Sequence, residues 1–226
     1  MTVEARLRRA IDGNVGWYDA IFGLHGIGAL LADGLWSALG PPPPYHSHAV
    51  VVEPSVTLDT VEARIGEIPN AGFKDAYASL DAMRLGMAVL FEATWIHREP
   101  GAPTAGDPSA WTDVRTPDQL AAWNAGWDTA DVLIPAVLDR AAFRVMARIA
   151  DGEIVAGAVA RLGTGAVDVS NVHGVGDHVV DWAQLTAAIA ARFPDRPMVG
   201  YEHGKDLEDA MRDGWDAVGP LRVWVR

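Results

Sequence analysis

Two hydrophobic spacings divide this chain. At 143–149, Phe143, Val145, Ala147 and Ile149 alternate with Arg144, Met146 and Arg148. A period of two turns one face inward and the other to solvent, the pattern of a half-buried strand. Asp151-Gly152 follows as a hairpin turn. A second, Ala-rich strand over 154–162 has Gly157 inside it; the turn Gly163-Thr164-Gly165 leads to a third strand over 166–172. His173, Gly174, Val175 and Gly176 form a loop. The spacing then becomes helical: Trp182, Leu185, Ile189 and Phe193 share one stripe, with Asp181 and Gln184 placed as a capping pair and Pro194 as the stop. A short apolar strand over 197–201 completes this central stretch.

Residues 3–11 and 17–24 predict two helical pieces interrupted at Gly13 and Asn14. Residues 30–39 predict a short helix ended by Gly40, and 49–52 a strand. Thr57 caps a helix bearing Leu58, Val61, Ile65 and Ile68. Residues 73–83 read as helix or turn, and 87–96 as a long strand with Val89, Phe91, Ala93 and Trp95 on one face. Residues 99–109, rich in Pro, Gly and Ala, are the expected linker; it separates a region over 1–100 from a domain over 110–226. Trp111 opens a strand. Thr116-Pro117-Asp118-Gln119 carries every signal of a helix start, with Leu120, Trp123 and Trp127 as the buried stripe. After Tyr201, residues 206–212 predict a helix closed by Gly214, and Leu221, Val223 and Val225 a final strand.

Composition narrows the functional classes. With 226 residues, half of them hydrophobic, the chain can bury a real core. Its net charge of −12, without a Lys/Arg cluster, excludes nucleic acid and anionic membrane surfaces as partners. Cysteine is absent, so there is no disulfide, thiol nucleophile or zinc–thiolate site. No apolar run is long enough to span a bilayer and no signal-peptide core is present, which makes the cytoplasm the expected location. Nine Trp against four Tyr point first to packing in the core and at interfaces, then to stacking on a flat ligand.

Several residues could carry chemistry. Pro41 to Pro44 read as a rigid connector before a ligand for a proline-reading module. His46 and His48 share a face on an extended chain, as two metal ligands would, but no third ligand stands nearby and no metal is expected. Glu92 is a candidate base if its face lines a cleft; a solvated or paired carboxylate is the commoner state. Glu202, between Tyr201 and His203 at a strand end, is a candidate general base; Asp168 could equally serve as base, or face solvent. There is no Gly-x-Ser-x-Gly elbow, and Ser170-Asn171 has no His partner in sequence, which removes support for a hydrolase.

From about Trp111 onward the order is strand, helix, three antiparallel strands, glycine loop, helix, strand, helix, strand. This resembles the GNAT superfamily of N-acetyltransferases. The run Leu207-Glu208-Asp209-Ala210-Met211-Arg212-Asp213-Gly214-Trp215 is similar to the family's last helix entering its Gly-aromatic strand. Asn171-Val172-His173-Gly174-Val175-Gly176 is similar to its pyrophosphate loop, with Asn171 where the family has a long polar residue. The resemblance implies an α+β fold in three layers: a mixed, mostly antiparallel sheet flanked by helices. It implies acetyl-CoA as co-substrate between two diverging central strands, its pyrophosphate on that loop and the following helix N-terminus. A small amine would attack the thioester, a carboxylate or water would take its proton, and a strand amide would hold the oxyanion. Ala210 stands where the family often has an acid Tyr. Two functions follow: an N-acyltransferase of a small amine with Glu202 or Asp168 as base, or a protein that keeps the fold without the CoA chemistry and serves in binding or structure, as a homodimer through Trp-rich surfaces.

Overall fold

The computed structural model describes residues 1–101, 105–127 and 132–226. Its centre is one sheet of eleven strands in the order β1-β2-β3-β4-β11-β5-β10-β9-β8-β7-β6. The strands are β1 (Ala29–Ala32), β2 (Leu35–Ala38), β3 (Ala49–Val51), β4 (Gly72–Asp75), β5 (Ala88–Arg98), β6 (Trp111–Asp113), β7 (Phe143–Ala150), β8 (Glu153–Leu162), β9 (Val167–Gly174), β10 (Met198–Glu202) and β11 (Asp216–Val225). All neighbours are antiparallel except β3–β4 and β9–β10. The helices are α1 (Val3–Leu24), α2 (Leu58–Ile65), α3 (Pro117–Ala125), α4 (Trp182–Arg192) and α5 (Gly204–Arg212). The architecture is therefore the expected three-layer α+β arrangement. Strands from both sides of the expected linker share the one sheet, and residues 102–104 of that linker lie outside the described residues.

Strand alternation sorts side chains between the two faces. Val145, Ala147, Trp95 and Val199 pack with α1 and α3, whereas Met146, Ile96 and Met198 pack with α4 and α5. A third cluster lies under α2 and includes Phe73 and Trp224. Eight of the nine Trp are buried, and Trp127 alone among them is 45% exposed. The Trp content thus builds the interior; the Trp-rich surface expected for a homodimer is not there. Each buried side chain of this size contributes on the order of 1.5–3 kcal/mol over an exposed one.

Four segments differ from the sequence reading, each for a physical reason. α1 runs unbroken through Gly13 and Asn14. A Cβ on Gly13 would lie 2.8 Å from Val199 Cγ2, and Asn14 Oδ1 accepts a hydrogen bond from Lys74 Nζ at 3.1 Å. The two apparent helix breakers are where the helix touches the sheet, and that packing offsets the roughly 1 kcal/mol a mid-helix Gly costs relative to Ala. Residues 29–38 form a β1–β2 hairpin, not a helix, because Asp33 (φ 54°) and Gly34 (φ 74°) make a turn with both central residues left-handed. Residues 72–75 are strand β4, held between β3 and β11. Trp127 lies beyond the end of α3 and stacks on His173 with ring centroids 4.8 Å apart, off the helix's buried stripe.

Elsewhere the local signals hold. Thr116 and Gln119 form the full capping box of α3. Asp151 (φ 51°) and Gly152 (φ 84°) turn β7 into β8.

Candidate functional site

β10 is bonded unequally on its two sides. Against β5 it pairs along its whole length, from Met198↔Arg98 to Glu202↔Thr94. Against β9 it pairs at two positions, Met198↔Val167 and Val199↔Asp168, and then the strands part. At the vertex, Gly200 passes the Val169 carbonyl so closely that a Cβ there would lie 2.8 Å from the oxygen. Beyond it, β9 is bent by a bulge: its register against β8 shifts between Gly157 and Val159, and Asn171 is left-handed at φ 51°. Asn tolerates that conformation better than most residues, and a bulge turns a strand away from its neighbour.

The parting strands open a cavity of about 490 Å³. Val169 to Val172 line one wall; Tyr201, Glu202, His203 and Asp206 line the other. Trp17 and Tyr18 of α1, Tyr45, His46, Lys74, Phe91 and Trp127 complete the enclosure. The cavity is largely aromatic, with a few titratable groups set into it.

Glu202 is in this cavity. Burial, and then the nearby Asp206, push its carboxyl up to about 8, partly opposed by a hydrogen bond to it from the His203 backbone. Tyr201 is stacked with Phe91 (6.4 Å) and edge-on to Trp95 (5.6 Å); burial raises its pKa, so it keeps its proton.

Asp168 is not in the cavity lining. It sits below the vertex, 3% exposed and covered by α1 at Gly13. Burial pushes it up to about 7 despite Arg161 and Lys74, and its Oδ2 has no hydrogen-bond partner.

Of the six residues of the expected pyrophosphate loop, Asn171, Val172, His173 and Gly174 belong to β9, and Val175 and Gly176 start the turn that follows. Asn171 and Val172 line the cavity; Asn171 Nδ2 is buried without a partner. His173 is 4% exposed, packed edge-on to Trp123, with Nδ1 3.0 Å from the Asn171 carbonyl oxygen. Gly174 passes His178 so closely that a Cβ would overlap the His178 carbonyl oxygen.

The fit to an acyl-CoA is divided. The splay leaves the facing backbone groups of β9 past Asp168 and of β10 past Val199 without a strand partner, which suits an amide-bearing thioester arm. The mouth of α4 is different. Its N-cap Asp181 accepts from Gln184 N at 3.0 Å, so a carboxylate already occupies the positive end. The backbone at Gly106 is pressed against the same turn, where a Cβ would lie 2.4 Å from Gln184 N. Residues 171–184 also contain no Lys or Arg.

The other candidates are engaged elsewhere. His46 Nε2 accepts from Trp17 Nε1 at 3.1 Å and its Nδ1 donates to the Pro44 carbonyl at 2.9 Å, a fixed neutral ring that burial pushes down to about 4. His48 Nδ1 accepts from Gly72 N. Among the described residues no three His, Cys, Asp or Glu are grouped to hold a metal ion. Glu92 pairs with Arg222 at 2.6 Å on the surface.

Lys74 is the site residue that sequence reasoning missed. It lies on β4, on the face toward α1, 3% exposed, with Nζ 4.3 Å from the Tyr201 ring centroid and 5.0 Å from that of Tyr18. Its signal was frugality: the chain has only two lysines, Lys74 and Lys205, beside its arginines.

No protein-family model and no curated protein sequence matches the chain. Solved structures do. A GCN5-related N-acetyltransferase from Kribbella flavida is 18% identical, with a TM-score of 0.66 over 96% of this chain and 95% of that one. A GCN5-related N-acetyltransferase-like protein from Streptococcus suis (14%, TM-score 0.56) is matched over 100% of both chains. A putative GNAT-family acetyltransferase from Novosphingobium aromaticivorans (12%, TM-score 0.55) is matched over 92% of this chain and 95% of that one. The likeness therefore includes the residues before Trp111, beyond the half in which the sequence carried it. By the order of its elements, the parting of β9 from β10 and these likenesses, the chain has the fold of the GCN5-related N-acetyltransferase superfamily.

Proposed function

We propose that the protein is an acyltransferase that moves an acyl group from a thioester of the acyl-CoA type to a small amine in the β9–β10 splay. The observation that carries this reading is the two-position pairing of β9 and β10 beside a cavity of about 490 Å³. A bound thioester would supply the activated carbonyl carbon. The chain's own groups would do the rest. Glu202, once ionised, is a stronger base than a solvated carboxylate because burial holds its proton affinity high, and it takes the proton of the incoming amine. The proton that Glu202 takes up can then pass to the departing thiolate, while Tyr201, made a weaker acid by burial, keeps its own. The aromatic walls keep water from competing with the amine. Asp168 has no place in this scheme: it is sealed beneath α1 and outside the cavity.

A second reading, a fold retained for binding without acyl transfer, is favoured by the covered mouth of α4, where Asp181 and the Gly106 backbone stand in the place of a diphosphate.

Titration with acetyl-CoA separates them. At one hundred times its Kd a donor adds about 2.7 kcal/mol to stability, visible as a rise in melting temperature. Thiol release on adding an amine would then establish transfer. No stabilisation at millimolar acetyl-CoA would end the transferase reading.

A further inference from the structure

We propose that the acceptor is a zwitterion of the amino-acid class, with a carboxylate that pairs with Lys74 and an amine that faces Glu202; this rests on the acyltransferase reading above. Lys74 Nζ has three donors to place. One goes to the neutral amide oxygen of Asn14 at 3.1 Å. The remainder of its surroundings is aromatic: Tyr201 at 4.3 Å, Tyr18 at 5.0 Å and Trp95 at 6.0 Å. Among the described residues no carboxylate lies within 4.0 Å of it. A buried ammonium so placed has donors to spare and no carboxylate in direct contact, and it lines the cavity. An unpaired buried charge is costly, and an anion that completes it gains what the protein alone leaves unmade. Burial pulls the Lys74 pKa down to about 7, with Asp168 only partly opposing it, which marks the same shortfall.

The charges are arranged with polarity. Tyr201 packs on the α1 face of β10, beside Lys74. Alternation turns the next residue, Glu202, toward the other face. With Asp206 it forms a carboxyl-lined end of the cavity, so a ligand threading the splay meets Lys74 on one face and carboxyl groups on the other. An amine alone would satisfy the acidic end and leave Lys74 unpaired. The chain uses arginine for nearly all its positive charge, and here places a compact ammonium, which acts as a point charge for a small anion. The aromatic walls suit an apolar side chain branching beside the two charges.

The test is calorimetric titration of the full chain with the twenty standard amino acids at millimolar concentration, each binder being compared with the same amine lacking its carboxylate and with its carboxamide. The expected result is at least one binder, with loss of the carboxylate weakening it about tenfold or more. In Lys74→Met this preference should collapse to within about twofold, while Lys74→Arg keeps part of it. Should Lys74→Met not fold, the comparison of carboxylate with carboxamide on the wild-type protein decides alone. Absence of any binder, equal affinity for acid and amide, or a preference that survives in Lys74→Met overturns the proposal. Acetyl-CoA titration of the wild type is the separate arm: loss of donor binding with the Lys74 discrimination intact would sink the transferase reading and leave the anion site standing.

Discussion

Asn171 offers its carbonyl oxygen to His173 Nδ1 at 3.0 Å, so the ring two residues on braces the bulge that turns β9 from β10. Asn171 is the residue at positive φ there. A β-branched side chain strains this conformation by about 1–3 kcal/mol. Asn171→Val should lower the urea midpoint accordingly, and Asn171→Gly should leave it nearly unchanged. Equal stability of the two variants would mean that the bulge is not under this constraint.

Gly157 faces that brace from β8. A Cβ there would lie 2.3 Å from His173 Cε1 and 2.5 Å from Trp123 Nε1, both rigid rings in the buried face. Gly157→Ala is expected to cost about 1–3 kcal/mol by overpacking, measured by chemical denaturation.

The two neighbouring tryptophans should separate stability from binding. Trp123 is fully buried and donates to the Met146 carbonyl at 2.9 Å; Trp123→Ala is expected to cost about 3–5 kcal/mol. Trp127, 45% exposed at the cavity wall, should cost under about 1 kcal/mol when replaced by Ala yet weaken any aromatic ligand found for the cavity. A melting-temperature comparison and one titration check both halves.

Activity, once an acceptor is in hand, should rise with pH through about 8, because Glu202 is protonated below that value and takes up a proton only when ionised. Glu202→Gln should remove this limb and lower kcat by roughly 10²–10⁴-fold. A rate profile with the same limb in the variant would assign the titration to another group.

Stability should run the other way over part of that range. The unfolded chain gives up the Asp168 proton near 3.8 and the Glu202 proton near 4.5, whereas the folded protein holds them to about 7 and about 8. The folded state binds more protons between those limits, so its stability falls as pH rises across them. Lys74 titrates at about 7 folded and 10.5 unfolded. There the unfolded chain binds more protons, and stability is regained as pH climbs from 7 toward 10.5. Urea midpoints across the range should dip and then recover, and Lys74→Met should lose the recovery.

Much of the scaffold was legible because its signals are local. The alternation at 143–149, the Asp151-Gly152 turn and the Thr116–Gln119 cap each act within a few residues, and each formed where expected. Glu202 was legible as a titratable group at a strand end. What failed was set by contacts distant in sequence. Gly13 looks like a break until Val199 is seen beneath it. Strand β4 is too short to show a period, and its neighbours are β3 and, from the far end of the chain, β11. Lys74 therefore had no visible address: its partner Asn14 is 60 residues away. Asp168 reads as a base or as a solvent-facing strand residue because nothing in its own segment announces that α1 will lie over it. The glycines at 174 and 176 suggest a phosphate cradle; that Gly174 also passes close to the His178 carbonyl is visible only in the fold.

The one-sided bonding of β10 has a mechanical result. Its wall, with Tyr201 and Glu202, is anchored through β5 to β11 and the rest of the sheet. The opposite wall is anchored in the same way on its outer side, where β8 pairs with Ser170, His173 and Gly174 around the bulge. A guest too wide for the gap would have to break ladder bonds on one outer side or the other, so the resting width between the two jaws governs which molecules are admitted.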